Sequence, residues 1–361
     1  MEGRATRGQS IKSYYFSPMN RIHKLDGLRG LFALFVVLFH FNINNAPAFL
    51  VNNFFVRESY IFVDFFFILS GYVIALTYDD KINSRKTFMQ FLLKRCIRLY
   101  PLLLFSTGMY WYFVHPHFDK QNIFLALDTL LLTNSTPILG TEIGMNYPSW
   151  SISSEMISYL VFGLSSLIAI QKRKTILIGI VTMACFGFLA YQQNYFQTGS
   201  FGFVRGLACF NLGFIVYVLA KKNFQLPNSF EWLITTGILL LMYCHFTATV
   251  QNALWIQFMI PIGFAISILV FIKTYGLISK LLQTKPFLFL GKISYSIYLN
   301  QAFMIGYCIP KLFRWIQCSN GDAKKTISIV LLLVILICYS LATQYLIEKQ
   351  IGKKLMRLIR D

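Results

Sequence analysis

Apolar runs of about 18 residues or more recur from the first fifth of this chain to its end, and this recurrence limits its fold more than any other feature. Each run is long enough to cross the hydrocarbon core of a bilayer as one helix. Of the 361 residues, 56% are hydrophobic and 13% are charged, whereas about a quarter are charged in a soluble domain. The sequence therefore predicts an all-α, polytopic integral membrane protein. It excludes a soluble enzyme with one anchor, a disulfide-stapled secreted domain and a disordered chain.

Ten membrane spans are predicted from the apolar windows and the polar loops between them. They lie at residues 27–45, 60–78, 98–114, 148–170, 175–191, 201–220, 231–249, 253–272, 287–309 and 326–346. The apolar stretch 123–132 is too short to cross, and Asn134, Pro137 and Gly140 follow it, so we expect a re-entrant or interfacial segment there. We expect residues 1–24 to form a basic cytoplasmic segment, 25–346 the membrane domain and 347–361 a basic cytoplasmic tail. The first span is expected to act as its own uncleaved signal.

The distribution of basic residues predicts how the chain is oriented in the membrane. The formal net charge is +19, and the basic residues are concentrated in short loops. If the N-terminus is cytoplasmic, the inner segments hold 24 Lys and Arg residues and the outer loops hold six. Both termini are therefore expected in the cytoplasm, with the loop 310–325 as the basic segment on the opposite side. Since the charge is explained by orientation, no nucleic acid is expected as a partner.

No metal site or disulfide is predicted. The seven cysteines show no CxxC spacing and lie mainly in apolar runs, where cysteine behaves as a small hydrophobic residue. His115 and His117 resemble a pair of metal ligands, but Pro116 separates them and Asp119 is the nearest carboxylate in sequence. An exposed loop explains this pair better than a metal centre does.

Ionisable residues inside the predicted spans are the candidates for function, because an unpaired charge in the hydrocarbon region is costly. Arg29 and His40 are eleven positions apart on the first span, which places them on one face of the helix, about 16 Å apart along its axis. Counting from the span ends puts four further residues at the depth of His40, namely Asp64, Glu155, Arg205 and Gln301. A second group at the cytoplasmic end consists of Arg29, Arg95, Arg98 and Lys292. The first layer predicts a reaction centre and the second an anion-binding site, because guanidinium forks match phosphate oxygens.

Five stretches of the chain match the pattern of a known family. They are KLDGLRG at 24–30 with His40 beyond it, FVDFFFILSG at 62–71, RCIRLYP at 95–101, PSWSISSE at 148–155 and LGKISYSIYL at 290–299. On these motifs the chain resembles the acyltransferase-3 membrane proteins from about residue 20 to residue 346. The resemblance implies transfer of an acyl group, usually acetyl from cytoplasmic acetyl-CoA, to a sugar hydroxyl of a bacterial envelope glycan such as lipopolysaccharide O-antigen. It also implies location in the bacterial inner membrane.

The resemblance assigns roles to matching positions. It makes His40 the essential histidine, Arg29, Arg95 and Arg98 the essential arginines, and Glu155 the acid of its motif. Two positions depart from the family's pattern: Gln301 stands where a histidine often follows the late Tyr-Leu, and Met156 stands where a second acid is expected. A mechanism that needs those two groups is not implied for this chain.

These candidate residues can be given roles in a mechanism for acyl transfer. His40 is expected to take the proton of the acceptor hydroxyl as it attacks the thioester, with Asp64 or Glu155 orienting the imidazole. The three arginines and Lys292 are expected to hold the phosphates of acetyl-CoA, and no metal is needed. The residues expected to bind the substrate or the oxyanion are Arg205, Asn300, Gln301, Ser70 and Trp150. An acyl-enzyme on His40, Ser70 or Ser153 is an alternative route.

Two other classes of function stay open from the sequence. A transporter or flippase for an anionic or lipid-linked solute also carries charges inside the membrane. The halves of this chain show no matched pair of Gly-broken or Pro-broken helices, and the arginines gather at one end, which favours the enzyme. A receptor or scaffold explains the spans but not the layered charges. The expected partners are acetyl-CoA, a glycan or lipid-linked sugar acceptor, and membrane lipids.

Overall fold

The computed structural model describes residues 22–42, 44–139, 143–168, 172–248 and 250–358. Within these ranges the chain forms α-helices, short 3₁₀ turns at Ser59–Ile61 and Tyr147–Ser149, a π-helical segment at Gln344–Ile351, and no β-strand. The α-helices are α1 (His23–Phe39), α2 (Ala48–Val51), α3 (Phe54–Arg57), α4 (Phe62–Tyr78), α5 (Arg85–Val114), α6 (Lys120–Leu130), α7 (Trp150–Ile168), α8 (Lys172–Tyr191), α9 (Gly202–Ala220), α10 (Phe230–Thr247), α11 (Val250–Lys273), α12 (Leu277–Leu282), α13 (Lys285–Trp315), α14 (Gly321–Thr343) and α15 (Gly352–Leu358).

Each of the ten predicted spans overlaps one long helix. These helices are α1, α4, α5, α7, α8, α9, α10, α11, α13 and α14. Among the described residues, seven helical stretches are long and apolar enough to cross a membrane. Helices α1, α5 and α13 are not among the seven, and α1 has only 17 residues. The predicted fold class is confirmed, since the chain is an all-α, polytopic membrane protein.

The short apolar stretch between the third and fourth predicted spans forms α6, a helix of 11 residues. The Asp119 carboxylate caps it by accepting the backbone N–H of Asn122 at 2.7 Å. A helix of this length cannot cross a bilayer. Its re-entrant or interfacial position stays a prediction, and Gly140, which follows it in the predicted loop, lies outside the described residues.

Glycines bring the motif-bearing helices into backbone contact. A Cβ atom on Gly30 of α1 would lie 2.3 Å from the backbone nitrogen of Gly291 on α13. A Cβ atom on Gly71 of α4 would lie 1.9 Å from the Phe210 carbonyl oxygen on α9. Both distances are far below van der Waals contact, so only glycine fits at these crossings. The glycines of the motifs therefore allow α1 to pack closely against α13 and α4 against α9, as small residues do in membrane helix pairs.

A buried lysine fixes the start of α1. Lys24 is 2% exposed, donates a hydrogen bond to the Thr274 carbonyl oxygen and lies 3.8 Å from the centre of the Tyr275 ring. Nearby, the Glu231 carboxylate accepts the Thr274 hydroxyl at 2.9 Å and the Ser279 backbone N–H at 3.0 Å. These contacts join α1 to the ends of α10, α11 and α12. We call this end of the bundle, where α1 begins, the inner end; the charge distribution predicts that it is cytoplasmic.

Candidate active site

His40 follows the last residue of α1 and is half-buried. Its Nδ1 lies 2.7 Å from the carbonyl oxygen of Val36, one turn earlier in the same helix. A carbonyl oxygen only accepts, so this contact assigns the ring proton to Nδ1. In the neutral ring, Nε2 then carries a lone pair that can take a proton. The Tyr147 ring packs against the imidazole with 4.7 Å between the ring centres.

Gln301 faces the His40 ring from α13. Its side chain is fully buried and lies close enough to act on the imidazole, but the contact does not have hydrogen-bond geometry. Both the amide nitrogen and the amide oxygen of Gln301 are without a partner among the described residues. Asn146, beside Tyr147 in the chain, is also fully buried, and its side-chain oxygen has no partner there either. Buried polar atoms are almost always paired, so unpaired ones beside a histidine point to a ligand site. We call His40, Tyr147 and Gln301 the His40 group.

A buried ion pair joins α4 to the α8–α9 region. The Asp64 carboxylate accepts the Nε–H of Arg205 at 2.7 Å and the Tyr195 hydroxyl at 3.1 Å, and the ion-paired side chains are at most 1% exposed. The Trp150 ring lies against the pair, 5.5 Å from the guanidinium carbon. The prediction that Asp64 orients the imidazole is therefore wrong, because Arg205 and Tyr195 bind this carboxylate and the Val36 carbonyl holds the ring.

Glu155 lies with the arginines rather than with the His40 group. Its carboxylate accepts hydrogen bonds from the hydroxyls of Ser70 on α4 and Tyr159 on α7. Its charge also acts on Arg98 of α5. The prediction that Glu155 orients the imidazole is wrong for the same physical reason, since its hydrogen bonds are made to hydroxyls of the helices beside α5.

Arg29, Arg95 and Arg98, which we call the arginine cluster, come from α1 and α5. Arg29 donates from Nε to the Ser294 hydroxyl at 2.9 Å and from Nη2 to the Gly291 carbonyl oxygen at 2.7 Å. Arg95 donates to the Tyr78 hydroxyl at 2.9 Å. Two of the three guanidinium groups are thereby held in fixed positions against neighbouring helices.

Arg98 differs from the other two arginines of the cluster. Its side chain is exposed, although Glu155, Glu348, Tyr159 and Tyr295 surround it closely enough to act on its charge. With the residues that the structure describes, it makes neither a hydrogen bond nor an ion pair within 4.0 Å. A guanidinium with all its donors available, beside two fixed arginines, is suited to bind an anion with several oxygens.

Glu348 is the residue near the arginine cluster that the sequence did not predict. The helix runs beyond the last predicted span, from α14 through the π-helical segment Gln344–Ile351 into α15. Glu348 lies in this segment, accepts a hydrogen bond from the Ser296 hydroxyl, and acts on the charges of Arg98 and Arg29. One signal could have identified it: within residues 347–358 it is the only acid among four basic residues.

The remaining predicted residues make their contacts elsewhere in the helix bundle. The Lys292 side chain is exposed, and its carbonyl oxygen accepts the side-chain amide of Gln344. Asn300 is fully buried and donates to the Thr343 hydroxyl at 2.9 Å, while its side-chain oxygen has no partner among the described residues. Ser153 donates to a loop carbonyl oxygen. Within the described ranges there is no group of three or more side chains that could hold a metal ion.

Comparison with known proteins identifies the family. A family model described as an acyltransferase domain, Acyl_transf_3, matches residues 22–348, nearly the whole chain. The chain belongs to the acyltransferase-3 family. This protein is therefore a multi-pass membrane acyltransferase, as the sequence motifs predicted, and that prediction is confirmed.

The acyltransferase is similar to several known proteins. Protein 2 in the picA locus of Rhizobium radiobacter is 31% identical over 186 residues, which are 45% of this chain and 92% of that protein. The putative membrane-bound transacylase BcsY of Komagataeibacter xylinus is 26% identical over 246 residues, 62% of this chain and 57% of that protein. The acyltransferase MdmB of Streptomyces mycarofaciens is 34% identical over 110 residues, 29% of this chain and 27% of that protein. No solved structure matches the chain.

Proposed function

We propose that this acyltransferase moves an acetyl group from acetyl-CoA, bound at the inner end, to a hydroxyl of an envelope glycan sugar in the bacterial inner membrane. The acceptor class, lipopolysaccharide O-antigen, is the one that the family resemblance favours. The observation that carries the proposal is the arrangement of α1. Arg29 lies in its second turn and His40 follows its end, so an anion site and a base are about 16 Å apart along one helix.

The donor site is proposed at the arginine cluster. Support comes from Arg98, whose exposed guanidinium makes no hydrogen bond or ion pair with the described residues, and from Arg29 and Arg95 beside it. The phosphate groups of acetyl-CoA offer the oxygens that forked guanidinium donors bind. Lys292, exposed on α13, adds a positive charge. The flexible arm of the donor would then bring the thioester towards His40.

The acyl transfer is proposed to use His40 as general base. Nε2 takes the proton of the acceptor hydroxyl while the hydroxyl oxygen attacks the thioester carbon. The C–S bond then breaks, and the leaving CoA sulfur takes the proton from the imidazolium. The Val36 carbonyl oxygen, which accepts the Nδ1–H at 2.7 Å, stabilises the positive ring between these steps.

Gln301 is proposed as the donor to the oxyanion. Its side chain is fully buried beside the His40 ring, and its amide nitrogen has no partner among the described residues. A carboxamide cannot act as a base at neutral pH, but its N–H groups can donate to the oxygen that becomes negative in the transition state. This assignment gives Gln301 a role that fits its difference from the histidine common in the family.

The proposed function is tested with the purified full chain in liposomes. Radiolabelled acetyl-CoA is supplied on the inner-end side together with an envelope glycan extract, and label on the glycan is measured with thioester consumption. We expect labelled glycan to form and thioester to be consumed in equal amounts. Label that stays on CoA, combined with movement of an anionic or lipid-linked solute across the liposome without any acyl donor, would contradict the proposal and support the transporter.

A further inference from the structure

The C-terminal helix brings a carboxylate to the proposed donor site. Glu348 is partly buried, and its charge acts on both Arg98 and Arg29. It lies in a π-helical segment of eight residues, and such segments inside α-helices occur frequently at functional sites. The carboxylate is more than 4.0 Å from the Arg98 guanidinium, since Arg98 forms no ion pair with the described residues. The Glu348 carboxylate therefore lies beside the proposed anion site but does not accept hydrogen bonds from the Arg98 guanidinium.

Three consecutive residues of α13 fix this geometry. Ser294 accepts the Nε–H of Arg29 at 2.9 Å, Tyr295 donates to the carbonyl oxygen of Leu99 at 2.8 Å, and Ser296 donates to Glu348. Leu99 is the neighbour of Arg98 in the chain, so one stretch of α13 contacts the side chains of Arg29 and Glu348 and the backbone next to Arg98. The carboxylate is consequently held at a set place relative to the two arginines.

We propose that Glu348 is a counter-charge of the donor site, which weakens the binding of CoA phosphates so that free CoA leaves after each transfer. The inference rests on the proposed function. Two electrostatic effects act in the same direction: the carboxylate stabilises the arginines while the site is empty, and it repels the phosphates when the site is filled. Acetyl-CoA and CoA carry the same phosphates, so very tight phosphate binding would keep the product bound and slow turnover.

The Ser296 hydroxyl keeps the Glu348 carboxylate away from Arg98. Its hydrogen bond holds the Glu348 carboxylate, and the Arg98 donors stay free for the ligand. Without the hydroxyl, the carboxylate can turn towards Arg98 and form a direct ion pair, which the phosphates would have to displace. Removal of the Ser296 hydroxyl and removal of the Glu348 charge should therefore change CoA affinity in opposite directions.

The proposal is tested by the affinity of the full chain in nanodiscs for CoA and for acetyl-CoA, measured by calorimetry. Glu348→Gln keeps the shape and removes the charge, and we expect it to bind both ligands about three- to tenfold more tightly. In the transfer assay, the KM for acetyl-CoA and the inhibition constant of free CoA should fall by the same factor, while kcat does not rise. The matched control is Asp80→Asn, which removes an exposed acid after α4 whose charge acts on Lys174 and Lys221; it should leave the affinity unchanged.

Ser296→Ala provides the opposite arm of the test. It should weaken CoA binding in the wild-type chain and have no effect in the Glu348→Gln background. Unchanged or weaker CoA binding by Glu348→Gln, or an equal effect of Ser296→Ala in both backgrounds, overturns the proposal. If the wild-type chain itself binds no CoA, the proposed function fails and this inference fails with it, so the two failures are distinguished by the wild-type measurement.

Discussion

At the scale of single residues, the backbone of α1 orients the His40 ring. Val36 lies one turn before His40, and its carbonyl oxygen accepts the Nδ1–H at 2.7 Å. Because this partner belongs to the backbone, no side-chain substitution at position 36 removes it. The tautomer that leaves Nε2 available as a base is thus fixed by the end of a helix, while the buried Asp64 carboxylate is bound by Arg205.

Gln301→Ala tests the oxyanion donor. We expect kcat for acetyl transfer to fall about 100-fold, the usual loss when one such donor is removed, with little change in the KM for acetyl-CoA. Gln301→Glu is the matched control for shape, since it fills the same volume but lacks the N–H donors, and it should lose activity as well. Steady-state kinetics measure both. A Gln301→Ala variant with the kcat of the wild type would refute the role.

Arg98→Gln tests the donor site separately from the chemistry. Loss of an exposed guanidinium with free donors should weaken CoA binding about 10- to 100-fold, because charge-assisted, forked hydrogen bonds to phosphate are lost. Lys94→Gln is the control, since it removes an exposed positive charge one turn earlier on α5. Calorimetry on both variants gives the comparison. Equal losses of affinity would mean that general surface charge, rather than Arg98, attracts CoA.

The sequence named part of this candidate site and missed the rest for a physical reason. Intramembrane charges are rare, so His40 and the arginines stand out in an apolar chain. Depth counting along a span does not say which neighbour a side chain faces, which is why it predicts Asp64 or Glu155 as the partner of His40. Glu348 was missed because the helix that carries it continues beyond the apolar window that defined the last span.

At the scale of elements, backbone contact between α1 and α13 brings the two halves of the site together. Arg29 and His40 lie at the two ends of α1, while Ser294 and Gln301 lie on α13 opposite them. The crossing depends on Gly30 and Gly291, where an added Cβ atom would lie 2.3 Å and 2.2 Å, respectively, from a backbone atom of the other helix. The distance between the proposed anion site and the proposed base is therefore set by the pairing of these helices.

Gly30→Ala tests this crossing. The added methyl group must push α1 away from α13, and overpacking of this kind costs about 1–3 kcal/mol, so the thermal midpoint and the acetyl transfer rate should both fall. Gly187→Ala in α8 is the matched control, because nothing lies within 4 Å of its added Cβ; helix propensity predicts a neutral or slightly positive change. Similar melting curves for Gly30→Ala and the wild type would show that the crossing is not tight.

The sequence predicts that each long helix exists, but it does not predict where the helix begins and ends. Apolar windows found all ten long helices of the described residues, because hydropathy reports the part of a helix inside the hydrocarbon region. Helix α5 begins at Arg85, well before the predicted span at residue 98, since the Ser84 side chain caps it and its first turns are polar. Capping and polar extensions carry no hydropathy signal, so they appear only in the structure.

At the scale of the whole molecule, the proposed mechanism requires that the arginine cluster faces the cytoplasm, where CoA is made available. The asymmetry of 24 basic residues to six predicts this orientation. A green fluorescent protein fused after Asp361 should therefore fluoresce, and alkaline phosphatase fused after Cys318, between α13 and α14, should be active in the periplasm. The reverse pattern in the two fusions would place the proposed donor site on the wrong side of the membrane.

In the proposed mechanism His40 acts as the base on a donor held by the arginine cluster, and one paired measurement separates these two roles. CoA affinity and acetyl transfer to envelope glycan are measured on the same nanodisc preparations of the wild-type chain and of His40→Gln. We expect unchanged CoA affinity and transfer reduced by about 10²- to 10⁴-fold, because only proton removal is lost. A His40→Gln variant that transfers acetyl at the wild-type rate would contradict it.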